Sequence, residues 1–259
     1  MTSKSLPILG ACVGDIVGSI FEWNNYKNTN FDICNSRCFM TDDTVMTIAV
    51  ADALYNNKDL TDTLRLYGNR FPDSGYGGGF RRWLKDPTPK PYNSYGNGSA
   101  MRVSAAGVLG DTLSEVLKLA RQSAGITHNH PEGIKGAEAT AAAIYLARTG
   151  SSKEEIKEFV VTNYHYHLDT TCDEIRPGYR FNETCQGTVP PAIVAFLEST
   201  DFESAIRLAV SLGGDTDTLT CITGGIAAAF YKEIPDDIAN FAIGKMPSDF
   251  VEVIHLYDK

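Results

Sequence analysis

Two short segments of the chain combine carboxylates with threonine hydroxyls, the side chains that bind hard metal ions in proteins. One is Thr41-Asp42-Asp43-Thr44, and the other is Gly213-Gly214-Asp215-Thr216-Asp217-Thr218. Their oxygen-only donors favour Mg²⁺, Mn²⁺ or Ca²⁺ over zinc or copper. Each segment directly precedes a long apolar, alanine-rich run that predicts a helix. The sequence therefore predicts a site for more than one metal ion if the two helix starts meet.

Helix capping is the alternative explanation of each segment taken alone. Thr41 is a typical N-cap residue, and Asp42 and Asp43 suit the first helical turn because the helix dipole favours negative charge there. The same holds for the segment around Asp215 and Asp217. Capping requires only one or two such residues, however, and adjacent carboxylates repel each other unless a cation compensates them. The two segments together therefore favour metal binding.

A further acidic feature lies near the N-terminus, where glycines recur every four residues. Gly10, Gly14 and Gly18 fall on one helical face, and Glu22 continues the same spacing. Close packing of helices explains the glycines. It does not explain Asp15 or Glu22, and we expect Glu22 to reach a site at the helix end as a general acid/base or as a gate.

Two glycine-rich loops are suited to binding a ligand through their backbone. Ser94 to Arg102 runs from a Gly/Asn-rich turn into a predicted helix, where converging N–H groups would cradle a phosphate. An ordinary turn explains this segment equally well, and the same applies to Tyr76-Gly77-Gly78-Gly79. His128 precedes the next alanine-rich helix and is a candidate substrate contact. A zinc site formed with His130 lacks partners at a recognised spacing.

The composition narrows the classes of function. The chain has 259 residues and a net charge of -9, which argues against non-specific binding to nucleic acid or to an anionic membrane. An anionic substrate would then need local compensation from a metal ion or from backbone N–H groups. Six scattered cysteines in a chain of this length indicate a reduced compartment. The apolar stretch before Cys12 is too short for a signal peptide, so we expect a cytoplasmic protein, and a monomer.

The apolar spacing along the chain is helical almost throughout. Recurrence every three or four residues predicts helices over 45–54, 101–109, 134–147, 193–197, 205–212 and 219–231. Alternating strand patterns are nearly absent. Glycine, asparagine, proline and serine predict long loops over 71–79, 86–99 and 177–190. No linker or repeat divides the chain, and we therefore expect one all-α domain over residues 1–259.

Taken in order along nearly the whole chain, these motifs resemble those of the ADP-ribosylglycohydrolase family. The most specific part of the match is Gly14-Asp15-x-x-Gly18-x-x-x-Glu22 in combination with the two threonine-aspartate segments. The resemblance implies a compact, single-domain orthogonal bundle of helices around a cleft that holds two Mg²⁺ or Mn²⁺ ions. The chain is shorter than many eukaryotic members of the family, so the loops that select the acceptor cannot be carried over.

The resemblance also implies roles for individual residues. The implied metal ligands are Thr41, Asp42, Asp43, Asp215, Asp217 and Thr218, and the implied catalytic residues are Glu22, Asp42, Asp43 and Asp215. The implied substrate-binding residues are Tyr76, Gly77, Gly78, Gly79, Ser94, Tyr95, Gly96, Asn97, Gly98, Ser99 and His128. Within this set, Ser94 to Ser99 would hold the pyrophosphate and the adenosine, with Tyr95 as a stacking surface. Gly77 to Gly79 would approach the distal ribose.

The activity that the resemblance implies is hydrolysis of the N- or O-glycosidic bond between C1″ of ADP-ribose and an acceptor. A carboxylate, from Glu22 or from an aspartate of the metal site, would assist proton transfer as positive charge develops at C1″. Arginine of an ADP-ribosylated protein ranks first as the acceptor; serine, O-acetyl-ADP-ribose and ADP-ribosylated nucleic acid are the alternatives. A non-catalytic ADP-ribose-binding or structural protein, and an unrelated Mg²⁺-dependent phosphohydrolase, are the rival classes.

Overall fold

The structure, a computed structural model, describes residues 4–258, and these residues form fifteen α-helices and no β-strand. One isolated antiparallel bridge joins Gly96 to Thr184. The all-α prediction is therefore confirmed. In chain order the helices are α1 (Leu6–Gly18), α2 (Asp42–Tyr55), α3 (Leu60–Arg70), α4 (Gly78–Lys85), α5 (Gly98–Met101), α6 (Ser104–Leu109), α7 (Leu113–Gly125), α8 (Pro131–Thr149), α9 (Lys153–Tyr164), α10 (Cys172–Ile175), α11 (Cys185–Glu198), α12 (Phe202–Ser211), α13 (Thr216–Tyr231), α14 (Asp236–Ile243) and α15 (Ser248–Leu256).

The centre of the fold is a close antiparallel pair formed by α1 and α13. Gly14 lies so near the Thr220 carbonyl that a Cβ on Gly14 would be 1.9 Å from that oxygen. Gly10 and Gly18 approach later and earlier parts of α13, respectively, which makes the pair antiparallel. The Thr220 hydroxyl donates a hydrogen bond of 2.6 Å to the Gly14 carbonyl. Helix packing thus accounts for the glycine spacing, since no side chain larger than hydrogen fits there.

Alanine-rich helices surround this central pair. Helices α8, α11 and α12 pack against α13, and α2 and α6 pack against α1. Most of the buried apolar side chains form one continuous core, whereas a smaller cluster lies between α6, α7 and α8. Because small side chains let helix backbones approach closely, the starts of α2 and α13 are held in a fixed relation to α1.

Each predicted helix corresponds to helical structure, with one interruption. The predicted helix over 101–109 is divided at Arg102 and Val103, between α5 and α6. At the N-terminal end, α1 stops at Gly18, and Glu22 lies in the turn that follows. The prediction that Glu22 continues the glycine face of the helix is therefore wrong, although Glu22 still lies beside the start of α13.

The predicted loop over 177–190 is too long, because α11 covers its last six residues. The prolines at its end suggested a loop, yet Pro190 and Pro191 lie inside the helix. Pro191 has no N–H to donate to the Gly187 carbonyl, and the Tyr179 hydroxyl donates to that oxygen instead, over 2.9 Å. A tertiary contact thus replaces the missing helical hydrogen bond.

No helix among residues 4–258 combines the length and apolar character that crossing a membrane requires. The organisation of residues 1–259 as one domain, the cytoplasmic location and the monomeric state stay predictions.

Candidate active site

Both acidic segments open into one cleft of about 230 Å³. Its lining comes from the starts of α2 and α13, from the turn after α1 and from the loops on either side of α4. The predicted residues that line it are Glu22, Asp42, Asp43, Gly77, Gly78, Gly79, Ser94, Gly96, Asn97, Gly98, His128, Asp215, Asp217 and Thr218. The two helix starts therefore meet, as the metal hypothesis requires.

Asp15 on α1 holds the start of α2 in place. Its buried carboxylate accepts hydrogen bonds from the Thr41 N–H over 2.9 Å, the Thr41 hydroxyl over 2.6 Å and the Thr44 N–H over 3.0 Å. The Thr41 oxygen accepts a bond of 3.2 Å from the Asp43 N–H, so capping does occur at this helix start. Because Thr41 provides the cap, the carboxylates of Asp42 and Asp43 are free to line the cleft.

The start of α13 is held by side chains from distant segments instead. Gly213 and Gly214 adopt left-handed backbone conformations, with φ of 69° and 74°, which side chains disfavour. Asp215 occupies the N-cap position but makes no capping bond. Its carboxylate accepts a hydrogen bond of 2.7 Å from the Asn97 amide. The Lys27 ammonium donates to the Leu212 carbonyl, which stabilises the turn at Gly213 and Gly214.

The carboxylates of the cleft repel one another and have no cationic partner. Oxygens of Glu22, Asp215 and Asp217 lie within 4.8 Å of one another. Burial, together with the neighbouring carboxylates, raises the pKa of Glu22 to about 8 and that of Asp215 to about 6. The same causes raise the pKa values of Asp42, Asp43 and Asp217. Within residues 4–258, none of these five acids forms an ion pair.

This donor set fits a hard divalent cation. The Oδ2 atom of Asp43 is buried and has no hydrogen-bond partner within the described part of the chain. Buried charges are costly unless they are paired or coordinate a metal. The Thr41 oxygen donates to Asp15 and accepts from Asp43, which leaves it one lone pair. The cleft thus offers carboxylate and hydroxyl oxygens in excess of what the protein itself satisfies.

The loop from Ser94 to Gly98 forms another part of the cleft lining. The Gly96 N–H donates to the Ser94 hydroxyl over 3.1 Å, and the Asn97 N–H donates to the Glu183 carbonyl over 2.7 Å. These two N–H groups are therefore not available to a phosphate. The following helix, α5, has only four residues, so its dipole is weak. A phosphate bound here needs positive charge from another source.

Arg102 supplies a buried positive charge at this end of the cleft. It is 1% exposed, lines the cleft and forms no ion pair among residues 4–258. One of its terminal nitrogens, Nη2, donates to the Ser123 carbonyl over 2.7 Å and to the Thr127 hydroxyl over 2.8 Å. Burial lowers the pKa of Arg102 to about 10. This value is still well above neutral pH, so the guanidinium stays charged. Arg102 ended a predicted motif, but sequence reasoning assigned it no role.

A hydrogen-bonded chain leads from Arg102 to His128. The Thr127 oxygen lies 2.7 Å from Nδ1 of His128, and burial followed by the Arg102 charge lowers the pKa of His128 well below its usual value. The ring is therefore neutral. The Thr127 hydroxyl either donates to Nδ1 or accepts from it, according to the tautomer of the neutral ring. A Cβ on Gly98 would lie 3.1 Å from Nε2, so the other ring nitrogen faces the glycine loop of the cleft.

Four of the predicted site residues do not line the cleft: Thr41, Tyr76, Tyr95 and Ser99. Tyr76 is buried with its ring 5.4 Å from that of Phe80. The Ser99 hydroxyl points into the core and donates to the Gly133 carbonyl over 2.7 Å. The ring of Tyr95 is 48% exposed and meets His130 edge-on. The predicted contacts of these four residues with a ligand or metal stay predictions.

Other lining residues were not singled out from the sequence. They are Met46, Gly75, Phe80, Tyr92, Met101, Arg102, Phe181 and Glu183. Asp15, by contrast, was singled out from the sequence without a role, and the structure shows that it positions the start of α2 without lining the cleft. Phe181 and Glu183 lie in a loop whose sequence carried no comparable signal.

The fold is all-α, and its cleft carries carboxylate and hydroxyl oxygens that fit divalent metal ions. The family model for ADP-ribosylglycohydrolase matches residues 7–242, and the chain therefore belongs to the ADP-ribosylglycohydrolase family. Family membership confirms the resemblance drawn from the sequence, and with it the prediction that the protein is a glycohydrolase enzyme.

Individual relatives cover most of the chain. "ADP-ribosylhydrolase ARH3" of Mus musculus is 27% identical over 88% of this chain and 84% of its own length. "ADP-ribosylarginine hydrolase Tri1" of Pseudomonas putida (strain GB-1) is 25% identical over 95% of this chain and 72% of its own. A solved structure titled "ADP-ribosylglycohydrolase-related protein complex" superposes with a TM-score of 0.76 at 26% identity, covering 99% of this chain and 97% of that one.

Proposed function

We propose that the protein is a divalent-cation-dependent hydrolase that cleaves the bond between C1″ of ADP-ribose and an acceptor, with arginine as the first-ranked acceptor. A single cleft that joins five carboxylates to a buried arginine and a neutral histidine carries this proposal. The similarity to a protein named ADP-ribosylarginine hydrolase supports the acceptor, and the similarity to ARH3, named an ADP-ribosylhydrolase, supports the reaction.

The metal site would be formed by the two helix starts. Asp42, Asp43, Asp215, Asp217 and Thr218 would hold two Mg²⁺ or Mn²⁺ ions, with the remaining Thr41 lone pair as a further ligand. When bound, such ions would neutralise the acids, polarise ribose hydroxyls and lower the pKa of a coordinated water.

Glu22 would exchange a proton with the departing acceptor. It lies in a turn rather than in a helix, is half-buried, and has a carboxylate oxygen close to those of Asp215 and Asp217. A carboxylic acid at this point would protonate the leaving group as the bond to C1″ breaks, and its carboxylate would then accept a proton from the attacking water.

The other end of the cleft would bind the ADP moiety. The Arg102 guanidinium provides positive charge inside a protein whose net charge is -9, and His128 Nε2 faces the glycine loop of the same cleft, where it would contact the substrate. A buried cation attracts an anion in the cleft more strongly than a surface lysine would, because less water screens its charge. The anionic pyrophosphate would therefore lie towards Arg102 and the reacting ribose towards the acids.

Release of ADP-ribose from a peptide that carries ADP-ribosylarginine tests the proposal. We expect intact ADP-ribose as the product in Mg²⁺ or Mn²⁺, and no product after treatment with EDTA. Asp215→Asn is expected to lower kcat on the order of 10³-fold with a melting temperature in EDTA no lower than that of the wild type, since it removes a ligand charge but keeps the shape. Phosphate or AMP as the product would identify a phosphohydrolase instead. Tight binding of ADP-ribose without any turnover would identify a non-catalytic binder.

A further inference from the structure

Two exposed aromatic rings stack on each other at the mouth of the cleft. Trp23 is 78% exposed and Phe181 is 40% exposed, and their rings lie 5.3 Å apart at an angle of 18°. Trp23 directly follows Glu22, and Phe181 itself lines the cleft. Single exposed apolar residues need no explanation, but a stacked pair at the rim of a cleft marks a surface that a ligand covers.

The two charged side chains that line the cleft beside this aromatic pair are both glutamates, Glu22 and Glu183. Glu183 lines the cleft and is exposed, and its charge contributes to the raised pKa of Glu22. Neither glutamate forms an ion pair within the described residues. The cations of the same segments are engaged elsewhere: Lys27 donates to the Tyr179 carbonyl over 2.9 Å, and Arg180 donates to the same carbonyl over 2.8 Å. The mouth therefore combines aromatic faces with unpaired carboxylates.

This combination selects a planar cation among the acceptors of ADP-ribose. A guanidinium stacks on an aromatic face and donates paired N–H groups to a carboxylate. A serine hydroxyl uses neither feature. A nucleic-acid acceptor could stack on the rings, but its phosphates would be repelled by the carboxylates.

We infer that Trp23, Phe181 and Glu183 form the acceptor subsite and that it takes the guanidinium of ADP-ribosylated arginine. This inference rests on the proposed function, because it assigns the side of the bond that faces away from ADP-ribose. Trp23 adjoins Glu22 in the chain, and Phe181 and Glu183 line the same cleft as Glu22, the acid that would exchange a proton with the acceptor. The three residues therefore determine specificity; they are not needed for the metal site.

Matched substrates separate this subsite from the catalytic site. The wild type, Trp23→Ala, Phe181→Ala and Glu183→Gln would each be assayed on peptides that carry ADP-ribosylarginine or ADP-ribosylserine. We expect each substitution to lower kcat/KM for the arginine peptide roughly tenfold, as expected for loss of a cation–π contact or an ion pair at a partly exposed site. Because Glu22 serves both acceptors, we expect the loss on the arginine peptide to exceed the loss on the serine peptide at least about fivefold for each variant, and the Kd of free ADP-ribose to change less than about twofold.

Two further variants serve as controls for the loss of activity on the arginine peptide. Trp23→Phe keeps an aromatic face and should restore most of the arginine activity. Leu66→Ala truncates a side chain that is 67% exposed and lies outside the cleft lining, and should change neither activity.

Failure of the guanidinium subsite and failure of the proposed hydrolase function would give different results. Equal losses on both peptides, weaker binding of free ADP-ribose by Trp23→Ala, or a wild type that cleaves only the serine peptide would overturn the guanidinium subsite and leave the hydrolase proposal standing. Release of ADP-ribose from neither peptide would overturn both.

Discussion

The two helix starts that meet in the cleft have the same chemistry but are built in different ways. At α2, Thr41 caps the helix and the buried carboxylate of Asp15 binds three donors of the same turn. At α13, Asp215 makes no cap, and its position depends on Asn97 and on two left-handed glycines. Both starts pack on α1, since the Thr216 hydroxyl donates to the Gly18 carbonyl over 3.0 Å, but only Asp215 depends on a loop side chain for its hydrogen bond. We therefore expect mutations at the two starts to separate stability from activity.

The largest effect is expected at Asp15. Asp15→Ala leaves the N–H groups of Thr41 and Thr44 buried without their acceptor, and should lower the free energy of unfolding by about 2–4 kcal/mol. Chemical denaturation of the wild type and the variant measures this difference. Asp15→Asn keeps one acceptor oxygen and should lose less. An Asp15→Ala protein as stable as the wild type would show that the start of α2 does not depend on α1.

Asn97→Ala, which acts on the start of α13, should lower activity more than stability. It removes the donor to Asp215 but leaves the backbone of α13 intact, so we expect kcat to fall roughly 10–100-fold with a stability change within about 1 kcal/mol. Steady-state kinetics and thermal unfolding on one preparation check both values. Asn163→Ala, in an exposed part of α9, is the matched control. A large loss of stability would erase the contrast between the two helix starts.

The acids of the two helix starts, together with Glu22, make the metal-free protein sensitive to pH. Their pKa values are raised in the folded state, to about 6 for Asp215 and about 8 for Glu22, from 3.8 and 4.5. The folded state therefore binds more protons than the unfolded state between about pH 4 and pH 8, and stability falls as pH rises through this window.

Thermal unfolding in EDTA at pH 5 and pH 8 measures this dependence. We expect a lower melting temperature at pH 8, and we expect Mg²⁺ or Mn²⁺ to raise it mainly at pH 8, because the cation binds the ionised acids. A melting temperature that is the same at both pH values in EDTA would contradict the electrostatic account of the cleft.

The smallest effect is expected away from both helix starts, in the chain from Arg102 to His128. Thr127→Val removes the hydroxyl that joins the two side chains, and should weaken the binding of free ADP-ribose about fivefold, the value of one hydrogen bond. Calorimetry on the metal-free protein reports this change directly. Thr140→Val is a matched control, because the buried Thr140 hydroxyl has no hydrogen-bond partner within the described residues. Equal affinities for the wild type and Thr127→Val would show that the Thr127 hydroxyl, and the His128 orientation that it sets, do not contribute to ADP-ribose binding.

Much of the fold could be predicted from the sequence because its signals are local. Three- and four-residue recurrence located the long helices, and the spacing of Gly10, Gly14 and Gly18 indicated a closely packed helix. The errors also have local causes. Pro190 and Pro191 suggested a loop, since the sequence does not show that the Tyr179 hydroxyl would satisfy the carbonyl that Pro191 leaves free.

By itself, the sequence determined the kind of site: hard oxygen donors before two apolar helices, and glycine-rich loops between them. Only the tertiary structure decided what each side chain does. Thr41 and Asp15 meet across 26 residues of chain, and Asn97 and Asp215 meet across 118. The direction of a side chain depends on which distant element packs against it, and residue type and spacing do not contain that information. For this reason Arg102 faces the cleft while Ser99, three residues earlier, points into the core.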